Sequence, residues 1–344
     1  MQTGTAAVAR NPLLVYGALF LVIALLPALG VYPIFVMKVL CYALFACAFN
    51  LLIGFTGLLS FGHAAFLGTA AYAAGHALKV WGLPTPLGLL FGMLAAGGVG
   101  LVFGLLAIRR TGIYFSMITL ALSQMLFFFF LQAKFTGGED GLQSVPRGNF
   151  LGLDLTQDLN LFYVVLAIFI AGFWLIYRTV NSPFGQVLTS IRENEARATS
   201  LGYDVDRFKL LAFVLSAALA GLAGATKTLV LGFATLTDAV WTTSGLVILM
   251  TLVGGMGTLV GPMLGALIII ALENKIGDLG KALAEITGVD WFNGLGESVS
   301  LVTGLIFIVC VLAFRRGVVG EALALIDRFG KEATQTLATT KKPH

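Results

Sequence analysis

The chain has 344 residues, of which 58% are hydrophobic and 11% are charged, and its formal net charge is +4. Soluble globular proteins are usually less than half apolar and about 25% charged, so this composition excludes a soluble globule and indicates a protein of the lipid bilayer. The positive charge comes without a basic cluster that carries interleaved aromatic residues, which argues against nucleic-acid binding.

Long apolar runs recur along the chain, and a transmembrane helix needs about 20 apolar residues, within a range of about 17 to 25. The segment before the first run, MQTGTAAVARNP, has no small-residue cleavage site, so we expect an uncleaved first helix. The predicted spans are 13–30, 34–53, 60–78, 86–107, 112–132, 159–178, 208–231, 240–253, 258–273 and 297–314. The eighth and ninth are short and are candidates for one re-entrant hairpin.

Lysine and arginine concentrate in the segments that share one side when both termini are cytoplasmic, as the positive-inside rule requires. The predicted fold class is therefore an all-α, polytopic integral membrane protein of about ten transmembrane helices. Residues 1–316 form the membrane domain, and 317–344 form a polar cytoplasmic tail. Lys227 lies near the outer end of the seventh span, where its stem is expected to reach the lipid headgroups.

Two outer loops are large enough to be surfaces. The first, 133–160, mixes Gly, Asp, Pro and Gln, which predicts an ordered loop or a short lid rather than a span. The second covers residues 274–296. Both are net acidic, and both are candidates for contact with a protein outside the cell.

The stretch Asn50–Gly68, NLLIGFTGLLSFGHAAFLG, interrupts an apolar run with glycines. Breaks inside a membrane are tolerated only where the freed backbone is buried in protein or lines a wet cavity. The candidate translocation-path or helix-break residues in it are Asn50, Gly54, Thr56, Gly57, Ser60 and His63. For His63 we favour a hydrogen bond to a facing helix, since no second ionisable group lies near it in sequence.

A second glycine cluster, Leu252–Ala266, contributes the further candidates Gly254, Gly255 and Gly257. At an offset of 200 residues, several of its residues repeat those of the first cluster, which suggests an internal repeat. Close helix packing through small residues is the alternative for each of these glycines.

The long polar insertion 181–209 reads as a docking loop at the cytoplasmic face. Ser182 is placed to cap a helix with Pro183 at its first position. The helical spacing of four apolar residues gives that helix one apolar face, made of Phe184, Val187, Leu188 and Ile191. Gly202 stands where a second short helix would end.

Three familiar kinds of site find no support in the sequence. Gly221–Thr228 looks like a phosphate-binding loop but lacks its second glycine and lies inside a span. The histidines show no metal-ligand spacing, and we expect no metal. Cys41, Cys47 and Cys310 lie in apolar runs, as packing residues do.

Three blocks, in order, resemble permeases of branched-chain amino acid ABC importers, the LivH/LivM family, and most closely the M-type subunit. The first block is the stretch Asn50–Gly68, the second is the loop with its IRENE…A…LG pattern, and the third is Leu252–Ala266. The resemblance covers roughly residues 35–315. It implies an ATPase-docking coupling loop whose contact residues are Arg192, Glu193, Asn194, Glu195, Arg197, Ala198, Leu201 and Gly202.

The resemblance also implies an inner-membrane assembly. A LivH-type second permease subunit, two LivG/LivF-type ATPase subunits and a periplasmic substrate-binding protein are the expected partners. ATP and Mg²⁺ would bind the ATPases, and this chain would bind no cofactor and catalyse no reaction. Permeases for urea and short amides are similar in these blocks, and a stand-alone secondary transporter is an alternative of another class.

Overall fold

The computed structural model describes residues 12–150 and 152–287, with isolated positions at 304, 305, 308, 317 and 320. Within these residues the chain is almost entirely helical, and one short hairpin joins β1 (Asn149–Phe150) to β2 (Leu153–Asp154). The helices are α1 (Pro12–Leu25), α2 (Pro33–Thr56), α3 (His63–Lys79), α4 (Thr85–Ala107), α5 (Ile113–Gln132), α6 (Asp158–Val180), α7 (Pro183–Glu193), α8 (Glu195–Ser200), α9 (Val205–Leu231), α10 (Trp241–Gly254) and α11 (Gly261–Thr287).

The helices confirm an all-α membrane protein. In the described part of the chain, α2, α4, α5, α6 and α9 are long and apolar enough to cross a bilayer. The first eight predicted spans match α1 to α6, α9 and α10 within a few residues at each end. The tenth predicted span, 297–314, and the tail 317–344 lie outside the described residues, apart from the isolated positions.

The predicted end of the ninth span was wrong. α11 continues to Thr287, so residues 274–287 are helix where an outer loop was expected. The apolar run stops at Glu273, but a polar side chain does not end a helix, and the sequence that follows is rich in Ala, Leu, Lys and Glu, which are strong helix formers. α10 remains short at 14 residues and packs along α11.

α9 is the central helix and packs against α2, α3 and α4. Small residues allow the close approach: a Cβ added to Gly221 would lie 2.3 Å from the Cβ of Ala96, and one at Gly224 would lie 2.2 Å from the carbonyl oxygen of Leu67. Such contacts through small residues are how membrane helices gain packing energy without a hydrophobic driving force between them. Gly221 and Gly224, in the stretch that looks like a phosphate-binding loop, therefore serve the packing of α9.

Two helices begin inside the bundle. The imidazole of His63, the first residue of α3, contacts the hydroxyl of Ser216, which lies about 16 Å along α9 from Val205. The amide of Ala64 donates to the hydroxyl of Ser244 near the start of α10, over 2.9 Å. Segments 57–62 and 232–240, which lie between α-helices, therefore enter the bundle from opposite ends, so that α3 and α10 start near its middle.

The outer loop 133–160 is ordered, as predicted. Leu142 and Ala234 exchange two backbone hydrogen bonds of 2.8 and 2.9 Å, which tie the loop to the segment that follows α9. Arg147 forms an ion pair with Asp158 at 2.7 Å. The loop thus covers the outer ends of α3 and α9, and its contact with another protein stays a prediction.

Candidate functional site

The polar insertion folds as two short helices because three side chains cap helix starts. Ser182 accepts a hydrogen bond from the amide of Gly185 at the start of α7, Asn194 accepts one from Arg197 in α8, and Asp204 accepts one from Arg207 in α9. Gly202 has φ +88° directly after α8, so it takes the left-handed conformation expected of it.

The apolar face of α7 holds the insertion against the bundle. Leu188 and Ile191 are buried, while Phe184 and Val187 are half-buried. Ile191 also packs with Ala198 and Val205 in a small core of the insertion's own, and Phe184 stacks on Phe208 at 5.5 Å. The predicted bracing role of this face is confirmed, and the insertion is a compact body rather than a solvated loop.

Leu188→Asp is expected to destabilise the protein, because the Leu188 side chain is 0% exposed. An unpaired charge there would lower the free energy of unfolding by about 3–5 kcal/mol. Thermal melting of the purified protein measures this, with Gln186→Asp on the exposed face of α7 as the control. Equal melting temperatures for the two variants would contradict the bracing role.

Glu195 has a structural partner as well as a solvent-facing side, since its side chain is 44% exposed. Its carboxylate forms an ion pair of 2.6 Å with the ammonium of Lys209, whose side chain is only 3% exposed. A change of charge at Glu195 would leave Lys209 buried without a partner, so Glu195 contributes to the fold of the insertion. The sequence gives little sign of this ion pair, because Glu195 in α8 and Lys209 in α9 lie on opposite sides of the Gly202 turn.

The surface that the insertion offers to a partner is smaller than the predicted set. Arg192, Glu193, Asn194, Arg197, Leu201 and Gly202 are exposed, and Leu201 is an apolar side chain left 69% exposed at the turn. Ala198, by contrast, is buried in the insertion's core, where its side chain cannot reach a partner.

Arg192 connects the insertion to both glycine clusters. Its guanidinium donates a hydrogen bond to the carbonyl of Gly54 near the end of α2. A Cβ added to Gly57 would lie 3.3 Å from Cγ of Arg192, and one added to Gly257 would lie 3.3 Å from its Nη1. We call this meeting of Asn50, Gly54, Gly57, Arg192 and Gly257 the junction.

Asn50 holds the other side of the junction together. Its Nδ2 donates to the carbonyl of Thr258 at 2.8 Å, and its Oδ1 accepts from the amide of Gly257 at 2.9 Å. Gly57 and Gly257 have nearly the same left-handed backbone, with φ +76° and +75°. The two clusters that the sequence set 200 residues apart are therefore in contact, although an internal repeat stays a prediction.

The other candidates of the glycine clusters are packed inside the chain. Gly254 has no room for a Cβ, which would lie 1.9 Å from the carbonyl oxygen of Gly261, and Gly255 has φ +116°. The hydroxyl of Thr56 bonds the carbonyl of Leu52, and Ser60 accepts from the amide of Gly62. These four residues support the turns, and a place on the transport path stays a prediction.

His63 bonds a facing helix, as predicted. Its Nε2 lies 2.8 Å from the hydroxyl of Ser216, which itself donates to the carbonyl of Ala48 on α2. Phenylalanine rings surround the imidazole, with Phe49 at 5.0 Å and Phe66 at 5.3 Å. His63 thus joins α3 to α9 and α2 in an apolar setting.

Comparison with known proteins shows the family of the chain. The family model described as "Branched-chain amino acid transport system / permease component" matches residues 33–314, which is most of the chain. The chain belongs to this permease family. The match includes both glycine clusters and the whole insertion, so every residue of the junction lies within the matched region of the permease.

Individual relatives differ in the solutes they are named for. The permease is 25% identical to LivM of Escherichia coli, a high-affinity branched-chain amino acid permease protein, over 70% of this chain and 62% of that protein. It is 33% identical to the autoinducer 2 permease protein LsrC of Klebsiella pneumoniae over 41% of this chain and 42% of LsrC. It is 30% identical to the ribose permease protein RbsC of Bacillus subtilis over 52% of this chain and 51% of RbsC.

Sequence reasoning missed one site in the permease. Lys227 does not extend to the headgroups but forms a buried ion pair with Asp238. Its ammonium also lies 5.7 Å from the ring centroid of Tyr42. Asp238 lies just before the eighth predicted span, and segment 232–240 carries it back into the bundle. The one available signal was a lone lysine at membrane depth, which calls for a partner.

Proposed function

We propose that this chain is a transmembrane permease subunit of an ATP-binding cassette importer. It moves branched-chain or other hydrophobic amino acids across the bacterial inner membrane. The observation that carries the proposal is the junction, where Arg192 of the exposed insertion bonds the end of α2 beside the turn between α10 and α11.

The junction supports a mechanism for coupling. An ATPase that grips the exposed residues of α8 and the Gly202 turn would move α7 as one body, because the core of the insertion and the Glu195–Lys209 pair make it compact. Arg192 and Asn50 would pass that movement to α2 and to the α10–α11 turn. The helices α3 and α10, which begin near the middle of the bundle, would then shift with the insertion.

The partners follow from the same proposal. A LivH-type permease would complete the membrane domain, and two LivG/LivF-type ATPases would bind ATP and Mg²⁺. A periplasmic binding protein would meet the outer loop. The phosphate-loop-like stretch Gly221–Thr228 lies within α9, whose closely packed interior has no space for a nucleotide, and this supports ATP hydrolysis on separate chains.

Reconstituted uptake tests the function. The complex in liposomes is expected to accumulate leucine with ATP inside and binding protein outside, and to accumulate neither urea nor ribose. Uptake of ribose or urea in place of leucine would overturn the substrate. Because the Lys227–Asp238 pair supplies the buried charges that a secondary transporter needs, equal leucine uptake without ATP would overturn the importer class.

We expect the permease to be oriented in the membrane with Ser190 inside the cell and Asp140 outside. An impermeant maleimide added to whole cells should label Asp140→Cys and spare Ser190→Cys, since both positions are exposed. The variants require a background without Cys41, Cys47 and Cys310. Asp140 suits this test better than Gly148, where φ is +61° and a Cβ would meet Thr85 at 2.9 Å. External labelling of Ser190→Cys would reverse the topology.

A further inference from the structure

The Lys227–Asp238 ion pair is buried at a depth where charges are rare. The two side chains are 8% and 3% exposed, and the pair joins α9 to segment 232–240, which lies between α9 and α10 and contains the short 3-10 helix Leu236–Asp238. Ala239, the residue after Asp238, packs against Gly68 on α3. Gly68 lies about 16 Å along α3 from that helix's outer end at Lys79. The pair therefore lies inside the bundle and not at the headgroups.

Stability does not explain such a pair. The desolvation of two charges offsets most of their attraction, so a well-packed apolar pair of similar size would hold segment 232–240 equally well or better. Ionisable groups at membrane depth mark sites of function more often than they add to stability.

Two buried hydroxyls in this part of the bundle lack partners. Within the described part of the chain, Tyr72 Oη and Thr228 Oγ1 are buried and make no hydrogen bond. Thr228 follows Lys227 directly. Tyr72 lies on the face of α3 that meets this region, between Gly68, which approaches Ala239, and Gly75, whose Cβ would be 3.5 Å from Thr228 Cγ2. A buried polar group without a partner calls for a ligand or another explanation.

One end of the site lies next to an exposed residue. Asp238 is preceded by the exposed Thr237, and segment 232–240 begins at Gly232, which has φ +76°. The Leu142–Ala234 hydrogen bonds place the outer loop directly over this segment. Thr237 lies in a single 3-10 turn, Leu236–Asp238, with irregular backbone on both sides. Such backbone at this depth is tolerated only against protein or water, so lipid does not cover Thr237.

From these observations we propose that Lys227, Asp238, Tyr72 and Thr228 form a binding site for the charged main-chain groups of an α-amino acid. The proposal rests on the proposed function and names the site at which the permease takes its substrate from outside. In the structure the two charges pair with each other. With substrate present, Lys227 bonds the α-carboxylate and Asp238 bonds the α-ammonium.

Charge balance favours a zwitterion over other solutes. The exchange replaces one ion pair with two and leaves the site neutral, so no net charge enters the bundle. The hydroxyls of Tyr72 and Thr228 donate to the substrate carboxylate, which gives each of them the partner that it lacks. An uncharged sugar or urea would separate Lys227 from Asp238 without replacing either partner, and that is costly for buried charges.

The test combines removal of the charges with removal of the hydroxyls. Lys227→Met together with Asp238→Leu should leave assembly and melting unchanged, and should reduce leucine uptake in reconstituted liposomes by about tenfold or more. Tyr72→Phe and Thr228→Val each remove a group that is unpartnered in the empty protein. They should keep wild-type melting and raise the half-saturating leucine concentration by about tenfold.

If the Lys227–Asp238 pair serves only the fold, the uptake measurements should give different results. Wild-type leucine uptake by the double variant would overturn the site, and so would unchanged half-saturation in both hydroxyl variants. If the double variant fails to assemble, the hydroxyl variants decide alone. The wild-type complex separates the two proposals: if it takes up no leucine, the proposed function itself has failed, whereas wild-type uptake with indifferent variants rejects only the site.

Discussion

Gly257→Leu is expected to abolish uptake. Gly257 has φ +75°, a conformation that costs a residue with a Cβ about 1–2 kcal/mol. Its added Cβ would also lie 3.3 Å from Arg192 Nη1 and 3.4 Å from the carbonyl oxygen of Gly54, so a leucine side chain must displace one of them. Overpacking adds about 1–3 kcal/mol, and the hydrogen bonds of the junction are what would give way. Leucine uptake and the melting temperature are the measurements.

Gly82→Leu separates crowding from backbone strain. Gly82 has φ +62°, but no described atom lies within 4 Å of the position of its Cβ. It therefore carries a similar strain without the collision, and we expect this variant to keep most of its uptake. Wild-type uptake by Gly257→Leu, or an equal loss in both variants, would show that the junction does not depend on close contact at Gly257.

Arg192→Gln is expected to uncouple the ATPases from transport. The shorter amide cannot reach the Gly54 carbonyl as the guanidinium does, while the buried face of α7 is unchanged. The ATPases should stay bound and hydrolyse ATP, and uptake per ATP should fall by about 5–150-fold, the range of a typical coupling free energy.

Arg110→Gln is the matched control, because Arg110 is an exposed arginine in the α4–α5 turn, which shares an end of the bundle with the insertion. It should retain the wild-type ratio of uptake to hydrolysis. If Arg192→Gln keeps that ratio as well, Arg192 does not transmit the movement of the insertion.

Local sequence patterns predicted the helices and caps well, because each depends on residues close together in the chain. Ser182 and Gly202 took the positions that their chemistry favours, and the apolar runs became helices. α11 ran past its predicted end because charge marks the limit of an apolar run but does not stop a helix.

Contacts between distant residues were beyond such reasoning. Nothing in the sequence near Arg192 shows that its guanidinium reaches Gly54, 138 residues away. The Lys227–Asp238 pair required segment 232–240 to turn back into the bundle, and an apolar count cannot show the direction of a loop. The glycine clusters were recognised as special, but their contact through Asn50 appeared only in three dimensions.

The central claim, that the insertion is the element on which the ATPases dock, is tested most directly by ATPase retention on the affinity-purified permease. Leu201→Asp changes an exposed side chain, and Gly202→Val opposes a backbone at φ +88° with no described atom within 4 Å of the added Cβ. Both should lose most of the ATPase. Leu201→Asp should melt like the wild type, and Gly202→Val should melt no lower than the control Gly112→Val, which also carries backbone strain. Gly112→Val, at φ +61° and equally uncrowded in the α4–α5 turn, should retain it. Full retention by Leu201→Asp and Gly202→Val would contradict the account.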